Sequence, residues 1–274
     1  MQCEDLAKKT VIVTGGSLGI GREIVRTFAR NGARVVVADI NEEEGTKVVR
    51  ELSRATQAHL FVTTDVTDRG SVEGLVARAM ETYGSIDVLV NNAGINLPRL
   101  LVDAEEPRGR YELHENEFDR MVAVNIKGPF LCTQAVARAM IDGNRPGVIV
   151  NICSECGLEG SQGQSCYAGT KGALFALTRS WAKELGRYGI RVTGVAPAIV
   201  ETTAIRTEEY ERALAYTRNI TVEQLRASYE KVSIPLGRVA KLSEIASLVC
   251  FLASDAASYV TGTTYNISGG KSRG

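Results

Sequence analysis

The chain reads as an α/β protein built on one doubly wound parallel sheet of about seven strands, with helices on both faces. Three observations predict this. Short apolar runs, most of them rich in β-branched residues, alternate with longer segments of helical spacing. A glycine-rich turn separates the first run from the first helical segment. No internal repeat, low-complexity stretch or linker interrupts the 274 residues, so a single domain spanning 1–274 is expected.

The apolar runs fall at 11–13, 35–37, 59–62, 86–90, 148–152, 190–195 and 264–267. Continuous rather than alternating apolar runs suit strands covered by helices on both sides. Between them, 20–31, 72–83, 117–140 and 167–187 carry apolar residues at helical intervals. Strand–helix alternation implies βαβ units, and right-handed crossovers then give the doubly wound sheet. Two stretches break the rhythm: 96–116, rich in Pro, Arg and Glu, and 198–232, charged and helical in character. Both follow strands at their carboxyl ends, where open α/β sheets bind ligands, so they are the expected walls of a substrate site.

Charge and composition narrow the function. Lys plus Arg and Asp plus Glu number 32 each, a net charge of +0, which speaks against a nucleic-acid partner. The six cysteines show no disulfide-like spacing and suit reduced thiols. Cys153 and Cys156 form a C-x-x-C, but the chain has only His59 and His114 to complete a metal site, so no metal is expected. Residues 1–9 are polar and charged, unlike a secretory signal, and no apolar run approaches the roughly 18–20 residues of a membrane span. A cytoplasmic protein with no membrane partner is the expectation.

The first strand runs into Thr14-Gly15-Gly16-Ser17-Leu18-Gly19-Ile20-Gly21. Glycines let the backbone turn sharply and approach a pyrophosphate, and the following helix offers free N–H groups to it. Asp39 ends the second strand, where an acid either bonds the hydroxyls of an adenosine ribose or caps a helix. In the first role it repels a 2′-phosphate, and the glycine turn holds no arginine before Arg22, so NAD is favoured over NADP. Asp65 and Asn91-Asn92-Ala93-Gly94 follow the next two strands, as further cofactor contacts or as ordinary turn residues.

Tyr167 and Lys171 stand four apart on a helical segment, hence on one face. A nearby ammonium is expected to bring a phenol down toward working pH, as general acid–base catalysis needs. Ser154, after the fifth strand, is placed to donate to a carbonyl oxygen on which charge grows. Asn125 is a polar residue within an otherwise apolar helical stretch. Each alone has a dull explanation: a surface pair, a cap, a backbone-bonded amide. Their combination in this order is far more specific.

TGGSLGIG, NNAG, Asn125, Ser154 and YAGTK together resemble the motif set of the short-chain dehydrogenase/reductase family, over nearly the whole chain from Lys8 to Gly270. The resemblance implies a Rossmann-type fold and NAD as cofactor. It implies cofactor contacts from Gly15, Ser17, Leu18, Gly19, Ile20 and Gly21, from Asp39, Ile40, Asp65 and Val66, and from Asn92, Ala93 and Gly94. Pro197, Val200 and Thr202 complete that set, with Thr202 on the nicotinamide amide. Tyr167 becomes the acid/base, and Lys171 the nicotinamide-ribose ligand that lowers its pKa. Ser154 becomes the orienter of the substrate oxygen, and Asn125 the holder of a relay water. Family members are mostly tetramers, so a homotetramer is implied. The sequence departs from the pattern after strand six, where Thr193 and Ala198 replace the usual Asn and Gly. A Cβ at 198 strains the chain if that position needs a positive φ.

A narrower likeness lies in NAGINLPRLLVD, GRYEL, GLEGSQGQSCYAGTKGAL, YTRNITVEQLR, IPLGR and NISGGKSRG, which cover both walls. It resembles the branch of the family that interconverts ketose phosphates, such as fructose 6-phosphate or L-sorbose 1-phosphate, with hexitol phosphates such as sorbitol 6-phosphate. Phosphate calls for a cationic pocket, for which Arg is well shaped. Arg99, Arg108 and Arg110 lie in the first wall, and Arg206, Arg212 and Arg218 in the second. The candidates for substrate contact are Asn96, Arg99, Arg110, Glu155, Glu159 and Gln164, with Arg99 and Arg110 for the phosphate. Two alternatives stay open: turnover of an unphosphorylated polyol or other secondary alcohol, and an NADH sensor without turnover.

Overall fold

The computed structural model describes residues 4–53, 59–105, 109–201, 203, 206–230 and 234–272. Seven strands, β1 (Thr10–Thr14), β2 (Arg34–Asp39), β3 (Leu60–Thr63), β4 (Val88–Asn91), β5 (Gly147–Ile152), β6 (Ile190–Pro197) and β7 (Thr264–Ile267), form one sheet in the order β3-β2-β1-β4-β5-β6-β7. Every pairing is parallel. The order reverses between β1 and β4, the switch point at which such sheets open a crevice.

Period-two alternation sorts the strand residues onto two cores. Val11, Val13, Val35, Val37, Val88 and Val90 pack on one face with Ile24, Val25 and Phe28 of α1 (Gly19–Arg30) and Ile245 and Val249 of α10 (Leu242–Ala253). Ile12, Val36, Leu89 and Ile149 pack on the other. There they meet Val72 and Leu75 of α3 (Arg69–Tyr83), Leu131 and Met140 of α5 (Gly128–Asp142) and Trp181 of α7 (Ser165–Leu185). Each such side chain contributes roughly 1.5–3 kcal/mol of burial, which makes the sheet a rigid platform. The remaining helix of the alternation is α2 (Glu42–Ser53), and α4 is Glu115–Val122.

The helix expected over 117–140 is present, but a π-helical turn interrupts its α-helical bonding. Between α4 and α5 lies a π-helical turn, Ala123–Lys127, that contains Asn125. Gly128 donates to the Ala123 carbonyl, and Pro129, at the start of α5, has no N–H for the carbonyl of Asn125 four residues back. A Cβ at Gly128 would also stand 2.8 Å from Val66 Cγ2, so this turn sits hard against the end of β3.

The two walls lie together. The second contains α8 (Glu208–Thr217) and α9 (Val222–Glu230), and α6 (Cys156–Glu159) is a single turn after β5. Tyr216 donates to Asp103 Oδ1 at 2.9 Å, its ring stands 4.6 Å from that of Tyr111, and Gln162 Nε2 donates to the Thr217 carbonyl at 2.9 Å. Among the described residues no helix is long and apolar enough to cross a membrane.

Candidate active site

A cleft of about 630 Å³ runs along the carboxyl ends of the strands. A smaller annex of about 190 Å³ opens beside it under the second wall. Tyr167, Ser154, Asn96, Ala198, Arg206 and Tyr210 line both.

The glycine turn forms one end of the cleft. Gly15 and Gly19 have φ of +62° and +54°, a region that disfavours any Cβ. A Cβ on Gly21 would stand 2.0 Å from the Gly15 carbonyl oxygen, so the turn can close on the helix only with glycine there. Leu18 precedes α1 in extended conformation and gives no side-chain cap, which leaves first-turn amides for an anion. The carboxylate of Asp39 accepts from Ser17 N on Oδ2 and from Asn41 N on Oδ1, both at 3.0 Å, and lines the cleft. Asp39 does not cap the next helix, a role that Asn41 takes by accepting from Glu44 N on its Oδ1 at 3.0 Å; its carboxylate instead organises the local backbone and faces the cleft. This cradle fits a dinucleotide pyrophosphate and its adenosine ribose.

Leu18, Ile20, Ile40, Asp65, Val66, Asn92, Ala93, Gly94, Pro197 and Val200 line the same cleft. Thr14 Oγ1 accepts from the amides of Asn92 and Ala93, and Asn92 Nδ2 donates to the carbonyls of Thr14 and Gly15, locking the β4 end to the glycine turn. Ser17 is not among the residues that line this cleft: it is wholly buried, and its amide donates to Asp39. Thr202 lies outside the described residues. Ala198 is absent from the non-glycine residues with positive φ, so its Cβ is tolerated without the strain considered for it.

The catalytic constellation assembles at the junction of cleft and annex. Ser154 and Tyr167 line both cavities, and Ser154 Oγ accepts from Cys156 N at 3.3 Å. Lys171 Nζ donates to the Ile152 carbonyl at 2.7 Å and stands 5.8 Å from the Tyr167 ring centroid. Burial pulls the Lys171 ammonium down to about 8. Burial also pushes the Tyr167 phenol well above its ordinary value, and the Ser154 hydrogen bond opposes this. The expectation of a phenol lowered by its lysine is therefore corrected. Desolvation outweighs what the Ser154 hydroxyl gives back, and the phenol rises.

Asn125 does not reach the cleft. Its Oδ1 accepts from Ile95 N, and its Nδ2 donates to the Ile95 carbonyl and to Thr170 Oγ1. Both ends of the amide are spent on joining the loop after β4 to α7, so the side chain holds Ile95 against Thr170, the neighbour of Lys171 in the chain. A Cβ on Gly94 would lie 3.3 Å from Asn125 Oδ1 and 3.4 Å from Lys171 Nζ.

Of the substrate candidates, Asn96, Glu155, Glu159 and Gln164 line the annex. Arg99 and Arg110 do not. Arg99 is paired with Glu117 of α4 at 2.6 Å, donates to the Pro98 carbonyl, and lies over the Tyr111 ring. Arg110 is exposed, with its guanidinium 5.3 Å from the Tyr111 ring centroid. Both serve the first wall's own structure, and Arg108 lies outside the described residues. The guanidiniums in the annex belong to Arg206 and Arg218, which the sequence grouped with the rest of the second wall. Arg206 donates to the Val200 carbonyl and stacks on Tyr229 at 4.2 Å; Arg218 donates to Ser161 Oγ at 3.2 Å. Among the described residues neither forms an ion pair.

Tyr210 and Lys271 also line the annex and were missed. The Tyr210 hydroxyl accepts from Gln164 Nε2 at 3.1 Å, and burial pushes the phenol up to about 12. No local pattern distinguishes either residue from a solvated one. The described cysteines are all free thiols, and the described residues contain no His/Cys/Asp/Glu cluster fit to hold a metal.

Comparison with known proteins agrees with this geometry. The family model for short chain dehydrogenase matches residues 9–213. The chain is 54% identical over 270 residues to a sorbitol-6-phosphate 2-dehydrogenase of Klebsiella pneumoniae, covering 98% of each. It is 34% identical over 262 residues to a sorbitol dehydrogenase of Cereibacter sphaeroides, covering 96% of each. Its fold matches a 3-ketoacyl-(acyl-carrier-protein) reductase from Brucella melitensis solved with NADH. There the TM-score is 0.81 at 30% identity, covering 98% of this chain and 100% of that one. The chain belongs to the short-chain dehydrogenase family and is an oxidoreductase.

Proposed function

We propose that the chain uses NAD(H) to interconvert a ketose phosphate, fructose 6-phosphate or L-sorbose 1-phosphate, with a hexitol phosphate, sorbitol 6-phosphate. The observation that carries this reading is the position of Ser154, Tyr167 and Lys171. They stand where a dinucleotide cleft meets a small polar annex containing two guanidiniums that have no ion-pair partner among the described residues. The 54% identity to a sorbitol-6-phosphate 2-dehydrogenase supports the same substrate class.

In reduction, bound NADH supplies the hydride. Ser154 donates to the ketose oxygen as charge grows on it, and the protonated Tyr167 gives up its proton to complete the hydroxyl. Lys171, fixed by Ile152, presents its ammonium to the cofactor ribose and offsets the phenolate left behind. Asn125 keeps the Ile95 loop and α7 in register, and Pro129 withholds an amide from the Asn125 main-chain carbonyl, which suits a water relay to that backbone oxygen. Arg206 and Arg218 take the phosphate. A charged annex disfavours steroid or acyl substrates.

An unphosphorylated polyol is the second reading, favoured by Glu155 and Glu159 on the annex wall and by the likeness to a sorbitol dehydrogenase. Steady-state kinetics with fructose 6-phosphate and each cofactor test the assignment. NADH is expected to outperform NADPH, because Asp39 opposes a 2′-phosphate. A clear preference for NADPH would overturn the cofactor reading, and a preference for free fructose would overturn the phosphate.

A further inference from the structure

Glu155 directly follows Ser154 and is only 6% exposed. Its two oxygens are in unequal circumstances. Oε1 receives Lys271 Nζ at 2.5 Å. Oε2 is buried and has no hydrogen-bond partner among the described residues. Both residues line the annex with Ser154 and Tyr167. A buried carboxylate oxygen without a donor costs free energy, more so when the group is charged, and on a residue that lines a polar cavity it is poised for a donor that arrives with a ligand.

Neighbouring groups do not meet that need. Gln164 spends its Nε2 on Tyr210 and its Oε1 on the Ser161 hydroxyl at 2.7 Å. Arg218 spends one N–H on the same Ser161.

Lys271 reaches the annex by deliberate backbone geometry. After β7 the chain turns through Gly269 and Gly270, at φ of +63° and +89°. A Cβ on Gly269 would stand 2.7 Å from Ile234 Cγ2, and one on Gly270 2.9 Å from Pro235 Cγ. Asn266 Nδ2 then staples the turn by donating to Ser272 Oγ at 2.6 Å and to the Ser272 carbonyl at 3.1 Å. Two glycines and one asparagine thus aim a lysine from the last turn of the chain at a carboxylate 116 residues earlier.

We propose that Glu155 and Lys271 form a hydroxyl-reading pair: Glu155 Oε2 accepts from a substrate hydroxyl on a carbon adjacent to the reacting carbonyl, and Lys271 positions the carboxylate for it. The inference rests on the reading of the site as a ketose reductase and adds what selects a polyhydroxylated chain. Glu155 lines the same small annex as Ser154 and Tyr167, so its carboxylate belongs to the cavity that receives the carbons beside the reacting carbonyl.

The test compares fructose 6-phosphate with its 1-deoxy and 3-deoxy analogues, and fructose with its own, using the full-length chain and NADH. The wild type is expected to favour the parent sugar over one of the two deoxy analogues by at least roughly tenfold in kcat/KM, since a site built around a hydroxyl rejects the compound lacking it. Glu155→Gln and Lys271→Met are each expected to lower kcat/KM for the parent roughly tenfold to a hundredfold, mainly through KM, and to leave that analogue within about twofold. The double variant should be no worse than the poorer single one, and Lys271→Arg should restore the wild-type ratio. NADH binding followed by fluorescence should be unchanged in all of them, which separates this role from general loss of fold. If Lys271→Met does not fold, Glu155→Gln and Lys271→Arg carry the comparison. Unchanged discrimination in Glu155→Gln, or an equal loss on all sugars, overturns the inference and leaves the reductase intact. A wild-type chain that turns over none of these ketoses overturns the reductase and the inference with it.

Discussion

The two ends of the cleft are built by different means. The dinucleotide end is made largely of backbone: Gly15, Gly19 and Gly21 shape it, amides face it, and its Asp39 carboxylate is held by two backbone N–H groups. The annex is made of side chains that converge from the loop after β4, the turn after β5, α8 and the last turn of the chain. A backbone site tolerates little change of residue and suits a ligand common to a whole family. A side-chain site can be respecified piece by piece without disturbing the sheet. The family resemblance therefore bears on the first end, and the substrate question lies wholly in the second.

That division can be broken most sharply at its boundary. Tyr167→Phe removes the proton donor and keeps the ring, so ketose reduction should fall about 10²–10⁴-fold while NADH affinity, read by fluorescence titration, stays within a few-fold. At the backbone end, Gly21→Ala pushes a methyl into the Gly15 carbonyl; NADH binding should weaken by at least about a hundredfold, with the substrate preference of any residual activity unchanged. At the side-chain end, Arg218→Ala or Arg206→Ala should raise KM for fructose 6-phosphate roughly tenfold to a hundredfold and leave free fructose within about twofold. Equal effects on both sugars would remove these arginines from phosphate binding.

The smallest effect expected is that of pH. Burial raises Tyr167 and lowers Lys171 to about 8, so at neutral pH both hold their protons. Reduction, which needs the phenolic proton and the ammonium, should be level below about 8 and decline above it as Lys171 deprotonates. Hexitol oxidation, which needs the phenolate as base, should instead climb with pH through the neutral range. The same rate trend in both directions would contradict this assignment.

Much of the fold was legible because its constraints are local. Apolar runs mark strands, and TGGSLGIG marks a turn that only glycine can make. The π-turn within the helix over 117–140 was legible in part, since Pro129 signals the missing amide at Asn125, but periodicity alone ran straight through it. The annex was not legible. Arg99 and Arg206 look alike in a sequence, and only the third dimension shows that Glu117 claims the first while the second faces the cavity. Lys271 resembles a solvated tail residue until β7 delivers it to Glu155. The same limit explains the misjudged phenol: a Y-x-x-x-K spacing fixes the face the two share, but not how dry that face is.

The most direct test of the central claim follows NADH absorbance with the wild-type chain and fructose 6-phosphate, with free fructose run in parallel. The geometry predicts steady loss of absorbance, with kcat/KM for the phosphorylated sugar at least about tenfold above that for the free one. NADH that binds but is not consumed with either sugar, or with L-sorbose 1-phosphate, would contradict it.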